Sequence, residues 1–349
     1  MGRAMIVGTS RQPLAEVTDV GAPHLSRRTT MAGMVVLVDG IARSGKGLLG
    51  PVFSSFERVE IERVEEIFEY IAVLHRLGTM ATDAAVALLR MEADRHLYNT
   101  LISRNTNFRP GDHSGVWQAP RRWRYVRRLM AAEGPAVLER IRADRPIFQT
   151  MTHDQLANVG LFREAFGEDL RVVEMIRHPV DLIDSWVRRG WGTRYGEDPY
   201  ALTLCVEYDG RDIPYYALGW EAAYLEMTPL GRVVRMVRGL WEANQRTYAG
   251  LPKDQQAQIC FVPLSRFVER PWPDVKRLAA FLGTEPTPAT RAILARKRLP
   301  RPDDALGRAE RWRRLQTEMT AEEQAAVHDL IEAYETVVRE LAVPVEDGE

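Results

Sequence analysis

The stretch VVLVDGIARSGKGLLG, residues 35–50, decides how this chain reads. Val35 to Val38 form an unbroken apolar run, as in a central parallel strand covered on both faces. A glycine-rich turn follows, then a helical pattern to about residue 56. The turn, Gly40-Ile-Ala-Arg-Ser-Gly-Lys-Gly47, meets most of the phosphate-loop pattern G-x-x-x-x-G-K-[ST]. Glycines let backbone approach an anion closely, and a helix N-terminus offers N–H donors and partial positive charge. Arg43 and Lys46 add formal charge. The pattern breaks at Gly47, which stands where a nucleoside triphosphate kinase places a hydroxyl on Mg²⁺. The turn therefore suits an anion but is poorly equipped for a metal–triphosphate site.

Outward from the turn, apolar strands alternate with helical patterns. Residues 58–64 alternate like a short strand. Helical spacing over 65–78 closes at Gly78, and a second helix starts at about Thr82 or Asp83 as N-cap. Residues 103–123 read mostly as loop and 135–143 as helix. Further core strands are expected at 146–154, 171–176 and near Ile259. The strand at 171–176 leads through His178-Pro179 into a helix, and the one near Ile259 through a loop into a helix closed by Gly283. Asp209-Gly210 between apolar runs signals a hairpin, and 321–341 is helical. This order predicts an α/β fold: a P-loop-type parallel sheet flanked by helices, with helical and hairpin insertions at about 79–145 and 195–230. Residues 1–30 read as a loose polar lead-in to one domain over 31–345. Arg43, His153 and Arg177 each follow a strand, so the sheet could bring them to one rim.

With 349 residues the chain can bury a large core. Its net charge of -1 gives no global field toward nucleic acid or an anionic membrane. Residues 1–30 lack the compact apolar region of a signal peptide, and no run is long enough to span a bilayer. Cys205 and Cys260 are too few for a disulfide framework and lack metal-site spacing. A cytoplasmic protein is expected.

A second motif lies in VVEMIRHPVDLIDSW. Arg177 can offer a planar fork of donors to a phosphate and Ser185 a hydroxyl, with Asp181 in the first helical turn. Taken alone, Arg177 reads equally as half of a structural ion pair.

Together the two motifs resemble sulfotransferases of bacterial type that use 3′-phosphoadenosine 5′-phosphosulfate (PAPS). ARSGKGLL resembles the family's 5′-phosphosulfate loop, and MIRHPVDLIDSW its 3′-phosphate motif. ICFVPLSRFVERPWPDVKRLAAFLG and LGRAERWRRLQTEMTAEEQAAV resemble later segments, in the family's order. The resemblance implies a sulfotransferase on a P-loop fold that needs no metal and takes PAPS as co-substrate, with PAP (3′-phosphoadenosine 5′-phosphate) as product. It implies that Arg43 contacts the 5′-phosphate and bridging oxygens, with Lys46 sharing that role. Ser44, Gly45 and Gly47 complete the loop, and Arg177 and Ser185 hold the 3′-phosphate. Lys46 and Gly47 depart from the family's usual Thr or Ser.

The Thr152-His153 pair resembles the family's catalytic pair and makes His153 the candidate base. Glu60, Glu62 and Glu65 are alternatives, and a histidine here also reads as a cap or core hydrogen-bonder. His178 is the weaker choice of base, and the other histidines, His113 among them, show no partner pattern. Arg308, Arg311, Arg313 and Arg314 around Trp312 could close over the nucleotide, with Trp312 stacking on adenine; they read equally as a solvated basic helix. RRWRYVRR, residues 121–128, reads as a local acceptor patch or a solvated helix rather than a nucleic-acid site. The acceptor is expected to be a carbohydrate or another small metabolite. An ATP-dependent P-loop kinase and a catalytically silent nucleotide-binding protein are the rival readings.

Overall fold

The computed structural model describes residues 23–112 and 114–341. Most of the lead-in, residues 1–22, and His113 lie outside the described residues. Central strand β1 (Met34–Asp39) alternates between two cores, which explains its unbroken apolar run. Val35 and Leu37 face one apolar cluster, Val36 and Val38 the other. The turn leads through a short 3₁₀ segment, Lys46–Leu48, into α1 (Leu49–Phe53).

β2 (Arg63–Val64) is shorter than the strand expected at 58–64. The segment before it only touches the neighbouring strand, where the Gln149 side chain takes the Glu60 carbonyl and interrupts the ladder. α2 (Ile67–Arg76) ends before Gly78, whose φ of 71° suits glycine. α3 (Thr82–Leu101) is N-capped by Ala81, not by Thr82 or Asp83, because Asp83 turns its carboxylate to the Leu25 and Ala84 N–H groups. Met31 and Ala32 likewise donate to Asp94 of α3.

α4 (Arg122–Arg128) and α5 (Pro135–Asp144) precede β3 (Ile147–Met151); α6 (Val159–Phe166) then leads to β4 (Leu170–Ile176) and α7 (Pro179–Arg188). β5 (Cys205–Tyr208) and β6 (Arg211–Pro214) form the hairpin, with positive φ at both Asp209 and Gly210. After α8 (Glu221–Glu226), α9 (Pro229–Gly250) and α10 (Lys253–Gln256) comes the last strand, β7 (Ile259–Pro263). The loop expected after it is instead α11 (Leu264–Glu269), which runs into α12 (Pro271–Phe281). Pro263 caps α11 and Pro271 opens α12; the sequence reading expected α12 and took α11 for loop. α13 (Ala289–Arg296), α14 (Ala305–Gln316) and α15 (Ala321–Glu340) complete the chain; α15 opens with a Thr320–Glu323 capping box.

The five-stranded sheet is parallel throughout, in the order β2-β3-β1-β4-β7. From β1 the chain first builds toward β3 and later toward β4. The strand order thus reverses between β1 and β4, where parallel sheets leave a crevice beyond their C-terminal ends. The phosphate-loop-like turn and Arg177 both emerge there.

Candidate anion-binding and transfer site

The turn after β1 is shaped by contacts only glycine permits. Gly40 has φ 141°, and a Cβ on it would collide with the Met175 carbonyl of β4. Gly45 has φ 98° and would place a Cβ 2.8 Å from Leu264 Cδ1 of α11. Gly47 is different: nothing lies within 4 Å of a Cβ there. Space does not demand glycine at this position, so what the chain lacks is the hydroxyl itself. The Ser44 hydroxyl is buried and has no hydrogen-bond partner among the described residues.

α7 locks onto this turn. Pro179 occupies the first helical turn and the His178 side chain caps it, accepting from the Val180 N–H. Trp186 Nε1 donates to the Ala42 carbonyl at 2.8 Å. Arg43 Nε donates to Ser185 Oγ at 3.1 Å, and Arg177 Nη1 donates to the Arg43 carbonyl at 2.9 Å. Two motifs more than 130 positions apart therefore form one surface, with Arg43, Arg177 and Ser185 adjoining. Arg177 Nε is buried without a partner among the described residues. Burial and the crowding of Arg189, Arg177 and Arg188 hold the Arg43 guanidinium below its ordinary range. Burial, opposed by Asp181 and aided by Arg311, Arg308 and Arg188, does the same to Arg177. An anion placed between them would relieve this repulsion.

The C-terminal arginines partly reach this rim. Arg308 Nε donates to Asp181 at 3.0 Å and Arg311 Nε to the other oxygen of Asp181 at 2.9 Å, while Arg314 pairs with Asp184. Arg308 thus stands beside the start of α7, already held by a carboxylate. Trp312 meets His328 edge-on at 5.2 Å and packs against the main apolar cluster.

Lys46 does not project outward. Its ammonium is buried and donates to the Gly40 carbonyl at 2.6 Å. Carboxylates from several elements surround it. Asp39 at the end of β1 accepts from Thr152 Oγ1 and from the Gln155 and Leu156 N–H groups. Glu174 lies in register beside Asp39 on β4; burial, then the Asp39 charge, push its carboxyl well up. Burial also pushes Asp154 up to about 7 and Glu69 of α2 up to about 8, with Lys46 opposing both.

His153 follows β3 on this same rim. Its ring is 35% exposed, and its backbone N–H and Nδ1 both meet Glu69 Oε1 at 2.9 Å. Burial, then the Lys46 charge, push its imidazole down to about 4, so the ring is neutral at physiological pH.

The alternative carboxylates separate cleanly. Glu60 binds Arg128 Nη1 at 2.7 Å, Arg124 Nη2 at 2.9 Å and the Tyr125 hydroxyl at 2.8 Å, all from α4. Burial alone would raise Glu60, but Arg124 and Arg128 outweigh it and hold it low. It is a structural ion, which corrects its candidacy as base. It also corrects the reading of 121–128, since Arg124 and Arg128 face this buried carboxylate. Glu65 pairs with Arg63 and His96. Glu62 is buried against Gly50, and neither carboxylate oxygen has a partner among the described residues. Burial pushes it up to about 8. It borders a cleft of about 370 Å³ lined also by Glu65, Asn105, Thr106, Asn107 and Ser114.

Sequence reasoning missed Glu69, Asp154, Asp39 and Glu174. Asp39 and Glu174 end or interrupt apolar strand runs, a signal that could have marked them as functional polar groups. For Glu69 the sequence holds no such signal.

No family model and no curated protein matches this chain. Solved structures it resembles include sulfotransferases. The sulfotransferase domain from the Synechococcus PCC 7002 olefin synthase is 14% identical over 86% of this chain and 94% of its own, with a TM-score of 0.43. The sulfotransferase domain from the Curacin biosynthetic pathway is 10% identical over 75% of this chain and 77% of its own, at 0.42. A sulfotransferase from Alicyclobacillus acidocaldarius is 14% identical over 85% and 95%, at 0.36. At these TM-scores the likeness carries no functional argument, and the function has to come from the residues.

Proposed function

We propose that this protein is a PAPS-dependent sulfotransferase that moves a sulfuryl group to a hydroxyl of a carbohydrate or another small metabolite. One observation carries the reading: Arg177 bonds the Arg43 carbonyl while Arg43 bonds Ser185. That contact joins, at the switch point of a parallel sheet, the turn we assign to the 5′ end of the nucleotide and the motif we assign to its 3′-phosphate. The groups present fit a nucleotide with phosphates at both ends. Ser44 Oγ and Arg177 Nε are buried donors without partners among the described residues, and nothing lies within 4 Å of where a Cβ on Gly47 would stand.

PAPS supplies a sulfuryl group already activated by its bond to phosphate, and Gly47 offers no hydroxyl for a metal. Arg43 and the turn's N–H groups bind the 5′ end and stabilise charge left on it. Arg177 and Ser185 bind the 3′-phosphate, and Arg308 adds charge from α14. Lys46 stands beside His153 and its carboxylates; it contributes positive charge at the transfer point, not a direct arm into solvent. His153 is the base for the acceptor hydroxyl, since its neutral ring reaches the rim. Glu62 favours a second reading of the base, because it is the unpartnered carboxylate at a cleft lined with amides and hydroxyls that suit a polyol. The two unpaired cysteines fit a reducing cytoplasm. Among the described residues no helix is long and apolar enough to cross a membrane.

The test is a thermal-shift panel of PAP, ATP and AMP in EDTA. PAP at 100 times its Kd should stabilise the protein by ~2.7 kcal/mol, with ATP and Mg²⁺ adding little. Strong Mg²⁺-dependent ATP stabilisation with no response to PAP would replace this reading with the kinase. PAP binding without sulfate release from PAPS would leave a silent nucleotide-binding protein.

A further inference from the structure

The Glu69 oxygen that meets the His153 ring also accepts the backbone N–H of the same residue, both at 2.9 Å. An oxygen already accepting one N–H is set to accept a second, so the ring hydrogen belongs on Nδ1. Nε2 then carries the lone pair. It makes no hydrogen bond to any described residue, and it is not a buried orphan, so it opens to the rim. Glu69 projects from α2, a different element from the one that carries the histidine. The bond therefore fixes the ring between the C-terminal end of β3 and a helix.

From this geometry we propose that Glu69 is a positioning residue: it holds His153 as the Nδ1–H tautomer, with Nε2 facing the acceptor. The role rests on the sulfotransferase reading. In the transfer step the acceptor oxygen forms its bond to sulfur as the sulfur–phosphate oxygen bond breaks. The acceptor proton passes to His153 Nε2, and the electron pair of the broken bond stays on the departing phosphate. The imidazolium keeps its Nδ1–H on Glu69 Oε1 until the proton passes to water. Other charged groups face the pair as well: Lys46 from the turn, Asp39 from β1, Asp154 from the residue after the histidine and Glu66 from α2. Lys46 opposes the imidazolium and the carboxylates favour it, so Glu69 differs from the rest in touching the ring.

Hydrogens settle the matter, and they can be read without any turnover. In free histidine the neutral ring prefers its hydrogen on Nε2, so the Nδ1–H form is a signature of an imposed partner. Full-length protein labelled with ¹⁵N-histidine is measured by NMR, with His153→Asn identifying the resonance. The wild type should show Nδ1–H. Glu69→Gln, whose amide oxygen still accepts, should keep it, and Glu69→Ala should lose it. Release of sulfate from PAPS, with water as the acceptor probe, should fall about 10–100-fold in both variants, while PAP affinity holds. An Nε2–H ring in the wild type, or a tautomer unchanged in Glu69→Ala, overturns the proposal. So does undiminished sulfate release in a variant whose tautomer has changed. If the tautomers behave as expected but the wild type releases no sulfate, the sulfotransferase reading fails and the hold of Glu69 on the ring stands.

Discussion

Arg177→Ala tests the joint between the two motifs. The side chain has two roles in the structure: Nη1 holds the Arg43 carbonyl, and Nε is an unused buried donor. The first role supports a strained turn, since Arg43 sits at φ 75°. Losing that support costs about 1 kcal/mol for any ligand of the turn, roughly a fivefold rise in Kd. The second role, if it reads the 3′-phosphate, is a charge-assisted bond worth about 1.5–3 kcal/mol. PAP should therefore weaken by a further factor of roughly 10 to 150. Adenosine 5′-phosphosulfate, which lacks the 3′-phosphate, should show only the fivefold effect. Isothermal calorimetry in EDTA measures both. Arg177→Lys should fall between, because it keeps the charge but not the fork. Equal weakening of the two ligands would refute the reasoning and leave Arg177 a support for the turn alone.

Three further expectations follow from single groups. Glu60→Ala leaves Arg124 and Arg128 facing an empty site and should cost about 3–5 kcal/mol in urea unfolding; a loss below about 1 kcal/mol would mean the cluster is solvated. Glu62 holds its proton up to about 8 when folded against an ordinary value of 4.5, so wild-type stability should decline as pH climbs through that window. Glu62→Gln should escape this decline, its stability advantage in urea unfolding growing from acid to mildly alkaline pH by up to about 1.4 kcal/mol per pH unit; an advantage that does not change with pH would show the carboxyl is not desolvated. His153→Ala should lower turnover by ~10²–10⁴-fold and leave PAP affinity unchanged, whereas near-normal turnover would transfer the role of base to Glu62.

The meeting of the two motifs proposed to bind the nucleotide was legible because each lies in one short contiguous stretch at a strand end. One stretch of β1 and its turn, and one of β4 and α7, carry glycines, arginines and a serine at spacings backbone geometry requires. The parallel sheet was legible too, since β1, β4 and β7 keep apolar runs that only doubly covered strands need. The transfer half was not. Glu69 sits on α2 as one more polar residue of an amphipathic helix, and only the packing of α2 over the end of β3 gives it a meaning. Lys46 read as a second cation for the 5′ end because its carboxylate neighbours come from separate elements and share no spacing. Glu60 and Glu62 are two residues apart, yet one is neutralised by arginines of α4 and the other meets no cation directly. No local pattern separates them.

The inward turn of Lys46 couples the site to the proton supply. Its ammonium lies among Asp39, Glu69, Asp154 and Glu174, of which Asp154 and Glu69 change protonation at about 7 and about 8. A polyanion settling on the turn adds negative charge close to these groups and makes each hold its proton more tightly. If PAP binds as proposed, its arrival should be accompanied by proton uptake from the medium, and its affinity should rise as pH falls from about 8 toward 7. The observed heat of binding then depends on which buffer gives up the proton, differing between phosphate and Tris at the same pH.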